Sequence, residues 1–231
     1  MKTVGIIGGL GPETTAKFYL KLIFACFKQN KIKRPPVLMW SIPLEFQTES
    51  NFITKNQMAE KYIPHLIDSA KRLEKGGADF LVIPCNSVHV FIEKIRKSVK
   101  IPVLSIVEET AEYLISQKIE KIGLLATIST ISNKLYSLGL EERGIKIILP
   151  DKEDQILIGK IIKKIVLNKN QSVEKKQLLK LIKKLKMKGA DFILLACTDL
   201  QLVVQPKTIP NVIDSMEILL ESTVQKILDL G

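Results

Sequence analysis

The sequence predicts an α/β fold of two pseudo-symmetric domains, each a parallel four-stranded sheet flanked by helices. Three observations carry this expectation. The segment Gly77-Ala-Asp-Phe-Leu-Val-Ile-Pro-Cys85 returns 112 residues later as Gly189-Ala-Asp-Phe-Ile-Leu-Leu-Ala-Cys197. Short apolar runs bounded by Gly or Pro alternate with longer stretches of helical periodicity, the pattern of a parallel sheet covered by helices. Other landmarks repeat at nearly the same spacing: Gly5 and Gly123 lie 118 residues apart and Pro102 and Pro210 lie 108 apart, a drift that loop lengths account for. Repetition on this scale reads as duplication of one α/β unit.

Element by element, Val4-Gly5-Ile6-Ile7 is an apolar run of strand length that stops at Gly8-Gly9. Residues 14–27 follow as a helix, with Pro12 suited to the first helical position, where its missing N–H is not needed. Val37-Leu38-Met39-Trp40 is the second strand, residues 57–75 a helix, and Phe80-Leu81-Val82-Ile83 the third strand. Residues 90–99 form the next helix and Pro102-Val103-Leu104 the fourth strand, giving the order β-α-β-α-β-α-β. In the second half, residues 121–126, 145–149, 192–195 and 212–213 are the equivalent strands, and residues 217–228 a closing helix that returns to the first unit. The expected first domain is residues 1–105 joined by 209–231, and the second is residues 106–208.

Composition excludes several classes. A chain of 231 residues with 46% hydrophobic content can bury a real core. No stretch approaches the roughly 20 consecutive apolar residues of a membrane span, and Met1-Lys2-Thr3 runs into Gly8-Gly9 before a signal-peptide core forms, so the cytoplasm is the expected compartment. Cys26, Cys85 and Cys197 are too few for a disulfide framework, and neither Cys-x-x-Cys nor a His/Cys pairing suggests a metal. The formal charge of +11 raises the question of nucleic acid. Much of the excess, however, lies between Lys160 and Lys188, where lysines alternate with Ile162, Ile165, Leu178, Leu179, Leu181, Ile182 and Leu185 at helical spacing. They read as the solvated outer faces of helices, with no aromatic residue interleaved, so neither nucleic acid nor membrane is expected as a partner.

In open α/β sheets, ligands bind beyond the carboxyl ends of strands. Cys85 and Cys197 both stand there, each after a strand and before Asn86-Ser87 or Thr198, residues that cap helices and donate hydrogen bonds. A thiol at a helix N-terminus is acidified by the dipole. Two such thiols on equivalent strands, facing one cleft between the domains, suit chemistry on two faces of one atom. Cys26, inside the apolar run Leu22-Ile-Phe-Ala25, reads instead as a core residue. Gly8-Gly-Leu-Gly-Pro12 opens a helix whose amides suit an anion, but it is neither a dinucleotide fingerprint nor a Walker loop. A plain strand-to-helix turn is an equal reading. Thr127, Ser129 and Thr130 occupy the corresponding loop of the second half. His89 either polarises Cys85 or is an ordinary helix residue. Asp199, Glu108 and Glu109 are candidate orienting carboxylates, whereas Asp79 and Asp191, at the opposite strand ends, read as structural.

Taken together, Gly8-Gly-Leu-Gly-Pro12, Pro84-Cys-Asn-Ser-Val-His89, Leu124-Leu-Ala-Thr-Ile-Ser-Thr130 and Ala196-Cys-Thr-Asp199 resemble the cofactor-independent aspartate/glutamate racemases, aspartate racemases above all. The resemblance implies two similar α/β domains with the active site between them, commonly in a homodimer, acting on a small amino-acid substrate without cofactor or metal. It further implies that Cys85 and Cys197 are the two acid/base residues. Asn86, Ser87, Thr130 and Thr198 would hold the substrate's α-carboxylate and ammonium, with Thr127 a neighbouring candidate. One thiolate removes the Cα proton while a thiol delivers another to the opposite face.

The chain departs from that pattern at three places. Ala196 and Asp199 stand where the family usually has Gly and Glu around the second cysteine, and Ser87 stands where Thr is common. The arginine and lysine that grip the side-chain carboxylate in aspartate racemases align with Thr48 and Leu167, with Lys163, Lys164 and Lys169 as nearby substitutes for the lysine. The expected function is racemisation at Cα of aspartate, glutamate or another amino acid. Two alternatives stay open: another reaction of the superfamily, such as cis-trans isomerisation or hydantoin racemisation, and a non-enzymatic basic binding module.

Overall fold

The computed structural model describes residues 1–31, 33–169 and 172–229. In chain order its elements are β1 (Val4–Gly8), α1 (Pro12–Asn30), β2 (Val37–Ser41), α2 (Phe46–Lys55), α3 (Tyr62–Lys75), β3 (Phe80–Val82), α4 (Ile92–Arg96), α5 (Ile106–Ser116), β4 (Lys121–Ala126), α6 (Ile128–Ser132), α7 (Ser137–Glu141), β5 (Lys146–Ile148), α8 (Lys152–Val166), α9 (Ser172–Met187), β6 (Phe192–Ala196), β7 (Val212–Asp214) and α10 (Ser215–Leu228). The chain forms two compact units. Unit 1 comprises residues 1–45, 59–109 and 216–231, and unit 2 comprises residues 46–58 and 110–215. These bounds differ from the sequence expectation at three places, the smallest being residues 106–109, expected in the second domain and found in unit 1. Residues 46–58, assigned to the first domain, belong to unit 2 because α2 packs on α6 and α8. Residues 212–214, grouped with the first domain through 209–231, pair with β6.

Unit 1 holds a parallel sheet in the order β2-β1-β3, and unit 2 a parallel sheet in the order β5-β4-β6-β7. The duplication is visible in single contacts. The helix before each copied strand ends in a left-handed glycine, Gly77 at φ 93° and Gly189 at φ 96°. The following alanines bond back in the same way, Ala78 N–H to Leu73 O at 3.0 Å and Ala190 N–H to Leu185 O at 3.1 Å. This is the helix-ending arrangement in which glycine avoids the Cβ penalty. Those alanines must be small because the neighbouring strand presses on them. A Cβ on Gly5 would lie 2.6 Å from Leu81 and 3.0 Å from Ala78, and one on Gly123 would lie 2.7 Å from Ile193 and 3.2 Å from Ala190. The Gly-Ala-Asp signature thus encodes helix ending and strand packing, not catalysis.

The copies differ at their fourth strand. In place of the four-stranded sheet expected for the first domain, Val103 makes a single bridge to Leu81. Two features cause this. β3 is shorter than β6, because Pro84 replaces Ala196 and has no N–H to extend the ladder. α5 also starts two residues after Leu104, whereas β7 continues through Asp214 before α10.

The core of unit 1 joins Val4, Ile6, Phe80 and Val82 of the sheet to Phe18, Leu22 and Cys26 of α1 and Leu219, Leu220, Val224 and Ile227 of α10. Burial pushes the Cys26 thiol up to about 11, as suits a core residue. In unit 2, Ile158, Ile161, Ile162 and Ile165 of α8 and Leu178, Leu181, Ile182 and Leu185 of α9 close over Ile193 and Leu195. The lysines between them stay outside. Three reach acidic partners: Lys164 to Glu174, Lys184 to Asp154 and Lys188 to Asp151. Among the described residues no helix is long and apolar enough to cross a membrane.

Candidate active site

Each strand-end cysteine is described within its own unit. In unit 1, β3 delivers the chain through Ile83-Pro84 to Cys85, which is half-buried, and then to Asn86, Ser87 and His89, all buried. The segment after Cys85 is a 3-10 turn over Ser87–Phe91, not the expected helix over 90–99, and α4 is only Ile92–Arg96. Asn86 makes no side-chain cap. The dipole invoked from the sequence is therefore weak at this thiol, because its strength comes from several aligned peptide units.

His89 does not polarise the thiol. Its Nδ1 lies 2.7 Å from the Cys85 carbonyl oxygen, and its Nε2 accepts the Ile106 N–H at 3.2 Å. A carbonyl takes only a donor and an N–H meets only an acceptor, so the ring is the neutral tautomer with hydrogen on Nδ1. Burial lowers its pKa to about 4. The ring pins the backbone of Cys85 to the first residue of α5. Glu108, expected as an orienting carboxylate, is bound by both terminal nitrogens of Arg96 at 2.8 and 2.6 Å, while Arg96 also donates to Val103 O at 3.1 Å. That pair closes the fourth-strand segment instead of addressing Cys85.

The glycine loop is stapled internally. Gly9 N–H donates to Thr15 Oγ1 at 3.1 Å, and Thr15 Oγ1 donates to Gly11 O at 3.0 Å. Gly11 is left-handed and Pro12 opens α1 as expected. The Gly9 amide is thereby satisfied within the loop.

In unit 2, β4 ends at Ala126 and β6 at Ala196, paired across the sheet. Thr127, which follows β4, caps α6: its Oγ1 accepts the Thr130 N–H at 3.1 Å and meets Thr130 Oγ1 at 3.1 Å. Ser129, Thr130, Cys197 and Thr198 are all buried. Here too the residues after the cysteine form only a short 3-10 turn, Leu200–Leu202. The Cys197 thiol points to Asp199, with Sγ donating to Oδ2 at 3.8 Å. Asp199 is thus the predicted orienting carboxylate that meets its cysteine.

One charged residue escaped the sequence reading. Glu49 of α2 is only 9% exposed and shares the buried face of its helix with Thr48, Phe52 and Ile53. Burial, then the neighbouring Asp199 carboxylate, pushes its pKa up to about 7. The signal existed in the sequence, since Glu49 falls on the apolar stripe at i−3 and i−4 from Phe52 and Ile53. No element is assigned to residues 46–55 in the sequence expectation, which places the next helix at 57–75. Thr48, aligned with the clamp arginine, is buried beside it. Leu167 follows α8, Lys163 and Lys169 are exposed, and Lys164 is committed to Glu174. Among the described residues no group of three His, Cys, Asp or Glu side chains forms a metal-binding arrangement.

The Asp/Glu/Hydantoin racemase family model matches residues 7–223. Over 227 residues the chain is 34% identical to the broad specificity amino-acid racemase RacX of Bacillus subtilis (strain 168), covering 96% of each. Among solved structures, the Picrophilus torridus aspartate racemase is similar at a TM-score of 0.82 and 25% identity, with 98% of this chain and 94% of that one covered. The aspartate racemase homologue of Pyrococcus horikoshii OT3 is similar at 0.76 and 28% identity, covering 100% and 99%. With most of both α/β units inside the matched span and the two repeated cysteines following equivalent strands, the chain belongs to the Asp/Glu/Hydantoin racemase family.

Proposed function

We propose that this protein is a cofactor-independent amino-acid racemase in which Cys85 and Cys197 exchange a proton with the two faces of Cα. The observation that carries this reading is the duplicated strand end, which presents one thiol from each of two copies of the same frame. Inverting a stereocentre by proton transfer requires a base on one face and an acid on the other. One cysteine, as thiolate, takes the Cα proton. The electron pair of the broken C–H bond moves into the Cα–carboxylate system, and the other cysteine, as thiol, returns a proton to the opposite face. The roles reverse for the other enantiomer.

Negative charge develops on the substrate carboxylate during the transfer, and preorganised donors lower its energy most. Asn86, Ser87, Thr127, Thr130 and Thr198 are the proposed donors, and all are buried, so their hydrogen bonds form in a poorly solvated setting. Cys197, bonded to Asp199, is suited to the thiol role in the resting enzyme. A homodimer in the cytoplasm is the proposed working form, consistent with three cysteines that form no disulfide.

Incubation of enantiopure aspartate, glutamate, alanine, serine, lysine and ornithine without added cofactor tests the proposal. Loss of optical activity with at least one of them is expected. Retained optical purity throughout would remove the racemase reading and return attention to hydantoin or cis-trans isomer substrates.

A further inference from the structure

We infer that the homodimer proposed above forms through the outer face of α1 and the edge strand β2, two copies of this chain meeting across a two-fold axis with their α1 helices antiparallel. The surface lies within unit 1 alone, and it rests on the homodimer of that proposal but not on its chemistry.

α1 is apolar nearly all round. Its buried row, Phe18, Leu22 and Cys26, packs with α10 over the sheet. The lysines of α1, Lys17, Lys21 and Lys28, fall on one flank at helical spacing, where Lys21 reaches Glu217 of α10. The remaining outer face carries Ala16, Tyr19, Leu20, Ile23, Phe24 and Phe27, with no charge between them. Phe24 is 66% exposed, Leu20 54% and Phe27 51%. A surface helix ordinarily turns a polar face to water, and a helix apolar on all sides is one that is covered. α9, by contrast, sets Lys176, Lys180 and Lys183 outward.

The face continues onto the edge of the sheet. Lys226 of α10 lies 5.7 Å from the centroid of the Phe80 ring on β3, which puts α10 over the β3 side of β2-β1-β3 and leaves the far flank of α1 over β2. β2 is an edge strand, Val37-Leu-Met-Trp-Ser41, without a charge. Met39 shares a sheet face with Val37, which packs into the core beneath α1, yet Met39 is 49% exposed. Proteins blunt such edges with charges or bulges, or cover them.

A second copy fits this face in area, shape and charge. At roughly 200 Å² for a large side chain, the exposed parts of Tyr19, Leu20, Phe24, Phe27 and Met39 amount to roughly 500 Å² of apolar surface. With the usual polar rim this corresponds to about 800–900 Å² per partner, the size of a standard stable interface. An antiparallel two-fold centred between Lys21 and Leu22 sets Ala16 against the partner's Phe27, Leu20 against the partner's Phe24 and Tyr19 against the partner's Ile23. Each contact occurs twice, as an isologous interface requires. The same axis brings Glu13, in the first turn of α1, to the partner's Lys28 and the partner's Lys31 at the end of the helix. All three of these residues are exposed in the single chain. An anionic membrane fits the face less well, because the lysines lie on the α10 flank and Glu13 borders the apolar row.

The test is sedimentation equilibrium of the wild type, Phe24→Glu, Leu20→Lys, Glu13→Lys and the charge exchange that combines Glu13→Lys with Lys28→Glu and Lys31→Glu. Circular dichroism checks the folding of each protein, and flotation with phosphatidylglycerol–phosphatidylcholine vesicles checks membrane binding. The wild type is expected to be a dimer at micromolar concentration. Phe24→Glu and Leu20→Lys should each raise its dissociation constant at least ~100-fold while staying folded, and should one fail to fold the other decides. Glu13→Lys should raise it about tenfold, and the charge exchange should restore it, which a structural role of Glu13 within one chain would not do. A wild type that stays monomeric, or a dimer unchanged by Phe24→Glu and Leu20→Lys, overturns the assignment, and failure of the exchange to restore affinity overturns the antiparallel pairing. Vesicle binding by a monomeric wild type, lost in Phe24→Glu, overturns it in favour of a membrane surface. Assembly is read without substrate, so a dimer through α1 that racemises nothing removes the racemase reading alone, and racemisation by a monomer removes this interface alone.

Discussion

Cys85 and Cys197 stand at the ends of matching strands, yet their surroundings have opposite electrostatic character. Beyond Cys85 lies a neutral imidazole, held by the cysteine's own carbonyl and by the Ile106 amide. Beside Cys197 lies a carboxylate, Asp199, that accepts the thiol hydrogen bond. The frame that sets the strand ends has been copied almost contact for contact, from Gly5 and Gly123 to Gly77 and Gly189. The groups around each thiol have not. Duplication supplied two equivalent positions, and divergence made them chemically distinct. On the two-base proposal the two hands of substrate meet different resting states, with the cysteine on Asp199 starting as the acid.

The largest expected effect breaks the pair itself. Cys85→Ala and Cys197→Ala should each lower racemisation by on the order of 10³-fold or more, the scale of a lost acid/base group. Full turnover in either variant, measured by polarimetry, would show that the second thiol is dispensable.

The next effects are opposite pH ramps from the two halves. His89 stays neutral when folded down to about 4 but protonates near 6.5 when unfolded. Its contribution is complete above 6.5 and is lost as pH falls to about 4, by up to about 3 kcal/mol. Glu49 behaves in the opposite sense. Its folded pKa of about 7 exceeds the ordinary 4.5, so its contribution is complete below 4.5 and is lost as pH rises to about 7, again by up to about 3 kcal/mol. Denaturant titrations across pH should show His89→Gln removing the acid-side ramp and Glu49→Gln the neutral-side ramp. If either variant leaves its ramp in place, the assigned protonation state is wrong.

A smaller and equal effect is expected where the halves agree. Gly5→Ala and Gly123→Ala each force a methyl into contacts of 2.6 to 3.2 Å. Each should cost about 1–3 kcal/mol, read from denaturant midpoints at constant slope. A large difference between the two would mean that the copied packing is less equivalent than its contacts imply.

The parts of the fold legible in the sequence were those written in periodicity and punctuation. The strands that stop before Gly9, Pro84 and Cys197, the Pro12 helix start and the core role of Cys26 all follow from local pattern. Two features were hidden because their cause is tertiary. Neither α5, in the passage between the halves, nor α2 is among the expected elements, although both carry amphipathic stripes. The membership of α2 in unit 2 depends on packing against α6 and α8, which no local pattern announces. At the candidate site, the cysteines were found because they repeat. Glu49 does not repeat and lies 148 positions from Cys197, so spacing gave no hint of it. The role of His89 turned on which atom it touches, and a motif cannot distinguish a carbonyl from the sulfur of the same residue, three bonds from the carbonyl carbon.

The two-base proposal is tested most directly by following deuterium early in turnover. One enantiomer of an accepted amino acid is incubated in deuterated water, and Cα label is measured separately in the remaining substrate and in the product. Delivery of a solvent-derived proton by the second thiol predicts label in nearly all of the newly formed enantiomer while the unreacted substrate stays unlabelled. Equal labelling of both enantiomers from the first points onward would indicate a single base serving both faces, and would contradict the assignment of complementary roles to Cys85 and Cys197.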